Sequence, residues 1–324
     1  MKTFETEKRS NPFTAKKKLN AELLLSLISL ENTNSISVCI ASYNGAQKLH
    51  QTIEAILKNT VLPEEIVVFL DGSTDKSVSV LKEFSNSLIR IIESENLGRA
   101  SARNKALEHA QSEIVLFLDD DIIIPENTIA AHLEHHKKNR NSVLSCPTVT
   151  IQSANDFSNF KRYLETKWNT HVEDESETTF SAAFFSILKN TFREIGGFHS
   201  GLNDAEDYEF GMRMKKRGIK AYVQHHLVGI HNDPMSCKYF IQRNRQYRVA
   251  NELLITSGIL ENNKYVVQKP GAIKKFIFFF LTSNLWVKLI DKNAFRFLYK
   301  PLRYKFYDYV SAGFIYYFPN KRLK

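Results

Sequence analysis

Three consecutive aspartates, Asp119, Asp120 and Asp121, follow directly on the apolar run 114–118. Carboxylates this close repel one another, and a bound cation relieves the repulsion. A hard divalent ion with oxygen ligands, Mg²⁺ or Mn²⁺, shared with a diphosphate, is the economical partner. In an extended turn residues i and i+2 point the same way, so Asp119 and Asp121 can serve one ion while Asp120 faces elsewhere. Polar residues close three other apolar runs: Ser42-Tyr43-Asn44-Gly45, Asp71-Gly72-Ser73-Thr74-Asp75 and Asn96-Leu97-Gly98-Arg99. Asp75 reads as a helix N-cap and Arg103 as a surface helix cation. The pair Glu206-Asp207 opens a helical stretch, where acids are also favoured by the helix dipole alone. No G-x-G-x-x-G and no Walker lysine loop is present, so dinucleotide and P-loop phosphate cradles are excluded.

These residues need a scaffold that gathers strand ends. Short β-rich runs at 35–41, 65–70, 88–92 and 114–118 alternate with helical patterns at 46–58, 75–84 and 100–110, the pattern of a parallel sheet with crossover helices. The runs are almost wholly apolar, as strands covered on both faces should be. Such sheets bind ligands at the carboxyl ends of their strands, which is where the polar turns fall. Past Pro125 the regularity loosens: helices are expected at 129–139, 156–168, 190–195, 205–217 and 236–256, strands at 142–151, 180–188 and 221–228, and an acidic loop at 173–177. The organisation expected is a helical lead over 1–34 with a short amphipathic helix at 21–30. A catalytic domain over 35–260 follows, with a nucleotide-binding half (35–125) and an acceptor-binding half (126–260). A basic, aromatic helical tail over 261–324 ends the chain.

In order and spacing, Ser37–Asn44 (SVCIASYN), Glu65–Asp75 (EIVVFLDGSTD), Asn96–Asn104 (NLGRASARN), Phe117–Pro125 (FLDDDIIIP) and the Ile195-Gly196-Gly197-Phe198 to Glu206-Asp207 stretch resemble family 2 glycosyltransferases of the GT-A fold. The resemblance implies an α/β fold with a mostly parallel, Rossmann-like sheet flanked by helices, and an inverting transfer from a nucleotide-diphosphate sugar, UDP-linked by expectation. Ser42 and Tyr43 would line the nucleoside pocket, Asp71 would accept from the base, and Arg99 would sit near the base or the diphosphate. Asp119 and Asp121 match the family's D-x-D, which holds the ribose and the Mn²⁺ or Mg²⁺ ion, with Asp120 also on the donor side. Glu206-Asp207 matches the motif whose carboxylate deprotonates the acceptor hydroxyl, without deciding which of the two does so. His231 stands where similar transferases complete the metal shell, and an imidazole there favours Mn²⁺. One departure stands out: Leu70 occupies the place of the family's first aspartate before Gly-Ser, leaving Asp71 alone. The acceptor class implied is a saccharide or lipid-linked saccharide in cell-surface polysaccharide or glycolipid synthesis. A nucleotidyltransferase would need a glycine-rich basic loop after the first strand, where this chain has only Gly45.

Composition adds a second feature. The 324 residues carry a net charge of +9, but 264–324 hold 13 Lys and Arg against 2 Asp and Glu, with 17 of the 38 aromatic residues. Rings beside cations are what an interfacial helix uses, so an anionic membrane surface is an expected partner of this tail, and packing on the domain or a homodimer contact is the alternative. No nucleic-acid motif accompanies the charge. The longest apolar run, 276–281, is far short of the ~20 residues a spanning helix needs. Cys39, Cys146 and Cys237 are too few and too scattered for a disulfide framework, and a cytoplasmic protein, peripheral on the inner membrane face, is the expectation.

Overall fold

The computed structural model describes residues 35–170, 175–176, 181–202, 204–258 and 272–323; the helix expected at 21–30 and most of the acidic loop lie outside them. The first half runs β1 (Ile36–Ser42), α1 (Ala46–Leu57), β2 (Glu65–Asp71), α2 (Ser77–Glu83), β3 (Ile89–Ser94), α3 (Arg99–His109) and β4 (Ile114–Asp119). These strands pair in parallel in the order β3-β2-β1-β4. Alternate residues divide between the two faces. Val38, Ile40, Val68 and Leu116 pack with Leu49, Ile53 and Ile56 of α1, while Cys39, Val67, Phe69 and Phe117 pack with Ala102, Ala106 and Leu107 of α3. Burial of each large side chain is worth about 1.5–3 kcal/mol, so the strand ends are held by a stiff double-sided core.

The second half continues with β5 (Ile122–Ile123), α4 (Thr128–Lys138), β6 (Ser142–Ser145), β7 (Thr148–Thr150), α5 (Asp156–Asn169) and β8 (Glu175–Ser176). It then runs through β9 (Phe184–Leu188), α6 (Lys189–Ile195), α7 (Glu206–Lys216), β10 (Lys220–Val223), β11 (Gly229–His231) and α8 (Cys237–Thr256). β9 inserts antiparallel between β4 and β6, and β10 and β8 complete an eight-stranded, mostly parallel sheet. A small sheet, β5-β11-β7, lies beside it. Two runs expected as single strands are each split. The run at 142–151 divides at Pro147, which cannot donate to a ladder, so β6 stays in the main sheet and β7 enters the small one. The run at 221–228 ends at Val223, and a turn containing His225 and His226 leads into β11.

The tail is less separate than its composition predicts. α9 (Ala272–Leu281) and α10 (Asn284–Asp291) precede α11 (Lys300–Ala312) and a π-helical turn (Gly313–Tyr317). Tyr304, Tyr307, Val310, Phe314 and Ile315 are buried against Phe157 and Phe160 of α5 and Cys237 and Ile241 of α8. Arg303 Nε and the Tyr307 hydroxyl each reach Asp156 at 2.9 Å. Pro301, in the first turn of α11, starts that helix.

α4 carries a histidine cluster under the sheet. His132 Nδ1 and His136 Nε2 lie 2.6 and 2.7 Å from the Ser186 hydroxyl, and His132 Nε2 lies 3.3 Å from Cys146 Sγ. Burial holds both rings neutral, His132 well below its ordinary pKa and His136 down to about 3. Both states are neutral above pH ~6.5; below it the unfolded chain gains protons that the folded chain refuses, so stability falls by about 1.4 kcal/mol per pH unit per ring. Other groups titrate in this window, so the isolating measurement is a difference. Urea unfolding of wild type and His136→Gln between pH 7 and 5 should show the variant losing less stability with acidification, and parallel curves would remove His136 from the account.

Candidate active site

The carboxyl ends of β1, β2 and β4 open on one cleft of about 840 Å³, and all ten residues singled out in the sequence line it. The aspartate turn is fixed from both sides. Asp119 is the last residue of β4, and β5 pairs antiparallel with β11, so that His231 stands opposite Ile122. The Asn232 N–H donates to the Asp121 carbonyl at 2.7 Å. The split of the expected strand 221–228 is therefore what brings His231 to the aspartates.

Asp121, His231 and Asp233 form one group whose ligand atoms all lie within 4.8 Å of one another. Asp121 is buried; its Oδ2 accepts from Lys48 Nζ at 3.0 Å. His231 Nε2 lies 3.0 Å from Oδ1 in an ion-pair contact, and this buried oxygen has no further hydrogen-bond donor among the described residues. Burial alone would raise the Asp121 pKa, yet His231 and Lys48 outweigh it and pull the group down to about 2. Burial likewise disfavours a charged His231, and Asp121 reverses this, holding the ring above its ordinary value. Two carboxylates, one of them buried with an oxygen that only the imidazole approaches, and the imidazole itself are a donor set that fits Mn²⁺ or Mg²⁺. Asp233 was not singled out in the sequence, although the i, i+2 rule that joins Asp119 to Asp121 applies equally to His231 and Asp233.

Asp119, expected beside Asp121 in the metal shell, is not in that group. Its carboxylate is held by Arg103 Nη2 at 2.6 Å. Asp120 does face elsewhere: its Oδ2 accepts from the Ser42 hydroxyl at 2.5 Å, and burial with the neighbouring Asp121 charge raises it to about 7. Gly45 makes this packing possible, since a Cβ there would stand 2.2 Å from Ser42 Oγ and 2.4 Å from Asp120 Oδ2.

Asp71 is buried, and its two oxygens accept the Leu97 and Gly98 N–H groups at 2.6 and 3.0 Å. It thus holds the loop that starts α3, a part the sequence reading did not give it. Leu70 is core, as an apolar residue at that place must be. Tyr43 is 57% exposed, with its ring free to meet a flat ligand. Asp75, expected as the N-cap, stands one residue before it: Lys76 is the N-cap of α2, and Asp75 accepts from the N–H groups of Ser77 and Ala46, each at 3.0 Å, and so ties the first two turns together.

In the same cleft, Ala205 adopts a left-handed backbone (φ 63°) and launches α7 with Glu206 and Asp207 in its first turn. A non-glycine residue held there is strained, a feature concentrated at functional sites. The two acids then part in environment. Glu206 is buried and ion-paired with Arg103 Nη1 at 2.7 Å, with Arg99 3.9 Å away. Asp207 accepts from backbone N–H groups, that of Tyr208 at 2.8 Å and that of Ala182, and burial plus the Glu206 charge raises its pKa to about 6. Arg103, expected on the surface, is a buried cation joining Asp119 to Glu206.

The family model "Glycosyl transferase family 2" matches residues 37–205. The hyaluronan synthase of Pasteurella multocida is 24% identical over 251 residues, which are 75% of this chain and 25% of that protein. The glycosyltransferase YfnE of Bacillus subtilis, itself uncharacterised, is 31% identical over 265 residues, 62% of this chain and 66% of that protein. The chain spans between 25% and 34% of the length of the first three curated relatives it matches. Among solved structures, the mannosyltransferase PcManGT from Pyrobaculum calidifontis, in complex with GDP-Man and Mn²⁺, superposes with a TM-score of 0.54 at 19% identity, covering 89% of this chain and 88% of that one. This likeness shows the GT-A fold.

Proposed function

The chain belongs to glycosyl transferase family 2, and from that footing we propose that it is an inverting glycosyltransferase. It moves a sugar from a nucleotide-diphosphate donor to a hydroxyl of a saccharide or lipid-linked acceptor, in the making of a cell-surface polysaccharide or glycolipid. The observation that carries this is the convergence of two acid sets on one cleft, the Asp121, His231 and Asp233 group and Asp207, which has no ion-pair partner among the described residues.

Asp121, His231 and Asp233 would hold the divalent ion, which when bound neutralises charge on the departing diphosphate. Tyr43 offers its exposed ring to the base. Ser42 and Asp71 shape the pocket through the bonds they make to Asp120 and to the 97–98 backbone. Arg99, half exposed and 3.8 Å from Asp204, is free to turn toward the donor's charge. Arg103 ties Asp119 to Glu206 through one guanidinium. Asp207 takes the proton of the acceptor hydroxyl as its oxygen bonds to the anomeric carbon and the bond to the diphosphate breaks, and a single displacement from the opposite face inverts that carbon.

A panel of UDP- and GDP-sugars with Mn²⁺ tests the reading through release of nucleoside diphosphate. Release should depend on the ion, with Mn²⁺ at least as effective as Mg²⁺, and should cease in excess chelator and in Asp121→Asn. Full turnover with chelator present overturns the metal-dependent reading.

We further propose that the protein works at an anionic membrane surface. Among the described residues no helix is long and apolar enough to cross a membrane. Phe276, Phe279, Phe280, Leu285, Phe297 and Tyr299 are exposed, with the exposed cations Lys288, Lys292, Arg296 and Lys300 on the same tail.

A further inference from the structure

Lys48 lies in the first turn of α1, three residues past the Gly45 that lets β1 approach the aspartate turn. Its ammonium reaches across to the other wall of the turn, 3.0 Å from Asp121 Oδ2 and 3.6 Å from Asp233 Oδ2, two of the three members of the candidate ion site. The Asp121 side chain is 9% exposed and that of Lys48 34%, so the lysine closes a buried carboxylate from the cleft side. A buried carboxylate demands a positive partner, and in the ion-free chain this lysine supplies a permanent one beside His231. A divalent ion among the same oxygens would meet that ammonium at short range, where solvent screens little. The lysine stem is flexible and its head is a compact point charge, so it can turn away without disturbing the helix that carries it. The space it turns into is the cleft it shares with Ser42, Tyr43 and Arg99.

We propose that Lys48 is a resident counter-cation of the Asp121, His231 and Asp233 group, one that a divalent ion displaces and that then faces the donor's diphosphate, so that ion and nucleoside diphosphate are taken up together. This rests on the metal-dependent reading above. An ion entering alone separates Lys48 from its carboxylates and leaves two cations crowded in one cleft. An ion entering with a diphosphate gives the displaced ammonium two negative charges to meet. Lys48 is on this account a positioning residue, and its signature is thermodynamic coupling between two ligands.

The test is a titration of the full chain with Mn²⁺, followed by the electron paramagnetic resonance of the free ion, without nucleotide and with saturating UDP or GDP. Wild type should bind Mn²⁺ weakly alone and more tightly with nucleotide. Lys48→Met should bind Mn²⁺ alone about tenfold more tightly, the scale of removing one neighbouring charge, and nucleotide should then tighten it several-fold less than in wild type. Lys48→Arg, which keeps the charge, should behave like wild type. An unchanged or weakened affinity of Lys48→Met for Mn²⁺ alone overturns the proposal while leaving the ion site standing. If wild type takes up no Mn²⁺ with either nucleotide, the ion site itself falls, and the role of Lys48 with it.

Discussion

Asp207→Asn is expected to lower the transfer rate by at least ~100-fold while leaving binding of the nucleoside diphosphate nearly intact, the scale for loss of a positioned general base. Three observations select Asp207 over its neighbour. Glu206 is committed to Arg103 at 2.7 Å and is buried. Asp207 accepts from the Tyr208 backbone and has no Lys or Arg within ion-pair distance among the described residues. Burial and the adjacent Glu206 charge lift it to about 6, close to the value that suits a base working near neutrality. The carboxylate must be ionised to act, so kcat/KM should fall as pH drops through about 6 and level off above it, and Asp207→Asn should abolish that acid limb. Glu206→Gln keeps an acceptor for Arg103 but removes one charge of a buried pair, so its loss is expected mainly in thermal stability, with the acid limb retained. A crippled Glu206→Gln beside an active Asp207→Asn would exchange the two roles, and two active variants would end the mechanism.

Features set by local chain chemistry were readable from the sequence; features set by distant partners were not. The first four strands announce themselves as apolar runs, and the polar turns after them fall at the sheet edge that the topology gathers into one cleft. Asp121 and His231 were legible as candidate ligands because each sits at a strand end. Arg103 was not, because its polar face on α3 looks like any surface face until Asp119 and Glu206, 16 and 103 residues away, are folded onto it. Lys48 is the same case, 73 residues away from Asp121. Alternation along the turn puts Asp119 beside Asp121, but it does not reveal the Arg103 guanidinium that holds the Asp119 carboxylate. Composition showed that the tail was unusual without showing which of its rings face inward, since that division depends on α5 and α8.

That division makes the second large prediction sharper. Truncating the chain before the tail would remove Tyr304, Tyr307, Val310 and Phe314 from a buried cluster, so loss of vesicle binding by a shortened chain would say nothing about the surface. Phe278 is likewise an inward residue, stacked on Tyr317 with ring centroids 3.9 Å apart. Phe276, Phe279 and Phe280 are 67%, 57% and 59% exposed on the same helix, and they can be changed without opening a core. Replacing all three by Ser removes about 1–1.5 kcal/mol of apolar transfer each, so affinity for vesicles of anionic phosphatidylglycerol should fall roughly 100-fold or more, with the thermal midpoint unchanged. The exposed Lys288, Lys292, Arg296 and Lys300 supply the attraction to charged headgroups, so wild type should bind uncharged phosphatidylcholine weakly and be released from anionic vesicles by salt. Equal sedimentation of wild type and the triple variant would sink the membrane reading. If the substitutions instead convert a dimer to a monomer in solution, the rings belong to a contact between two copies of the chain, and the acceptor must reach the cleft without help from a bilayer.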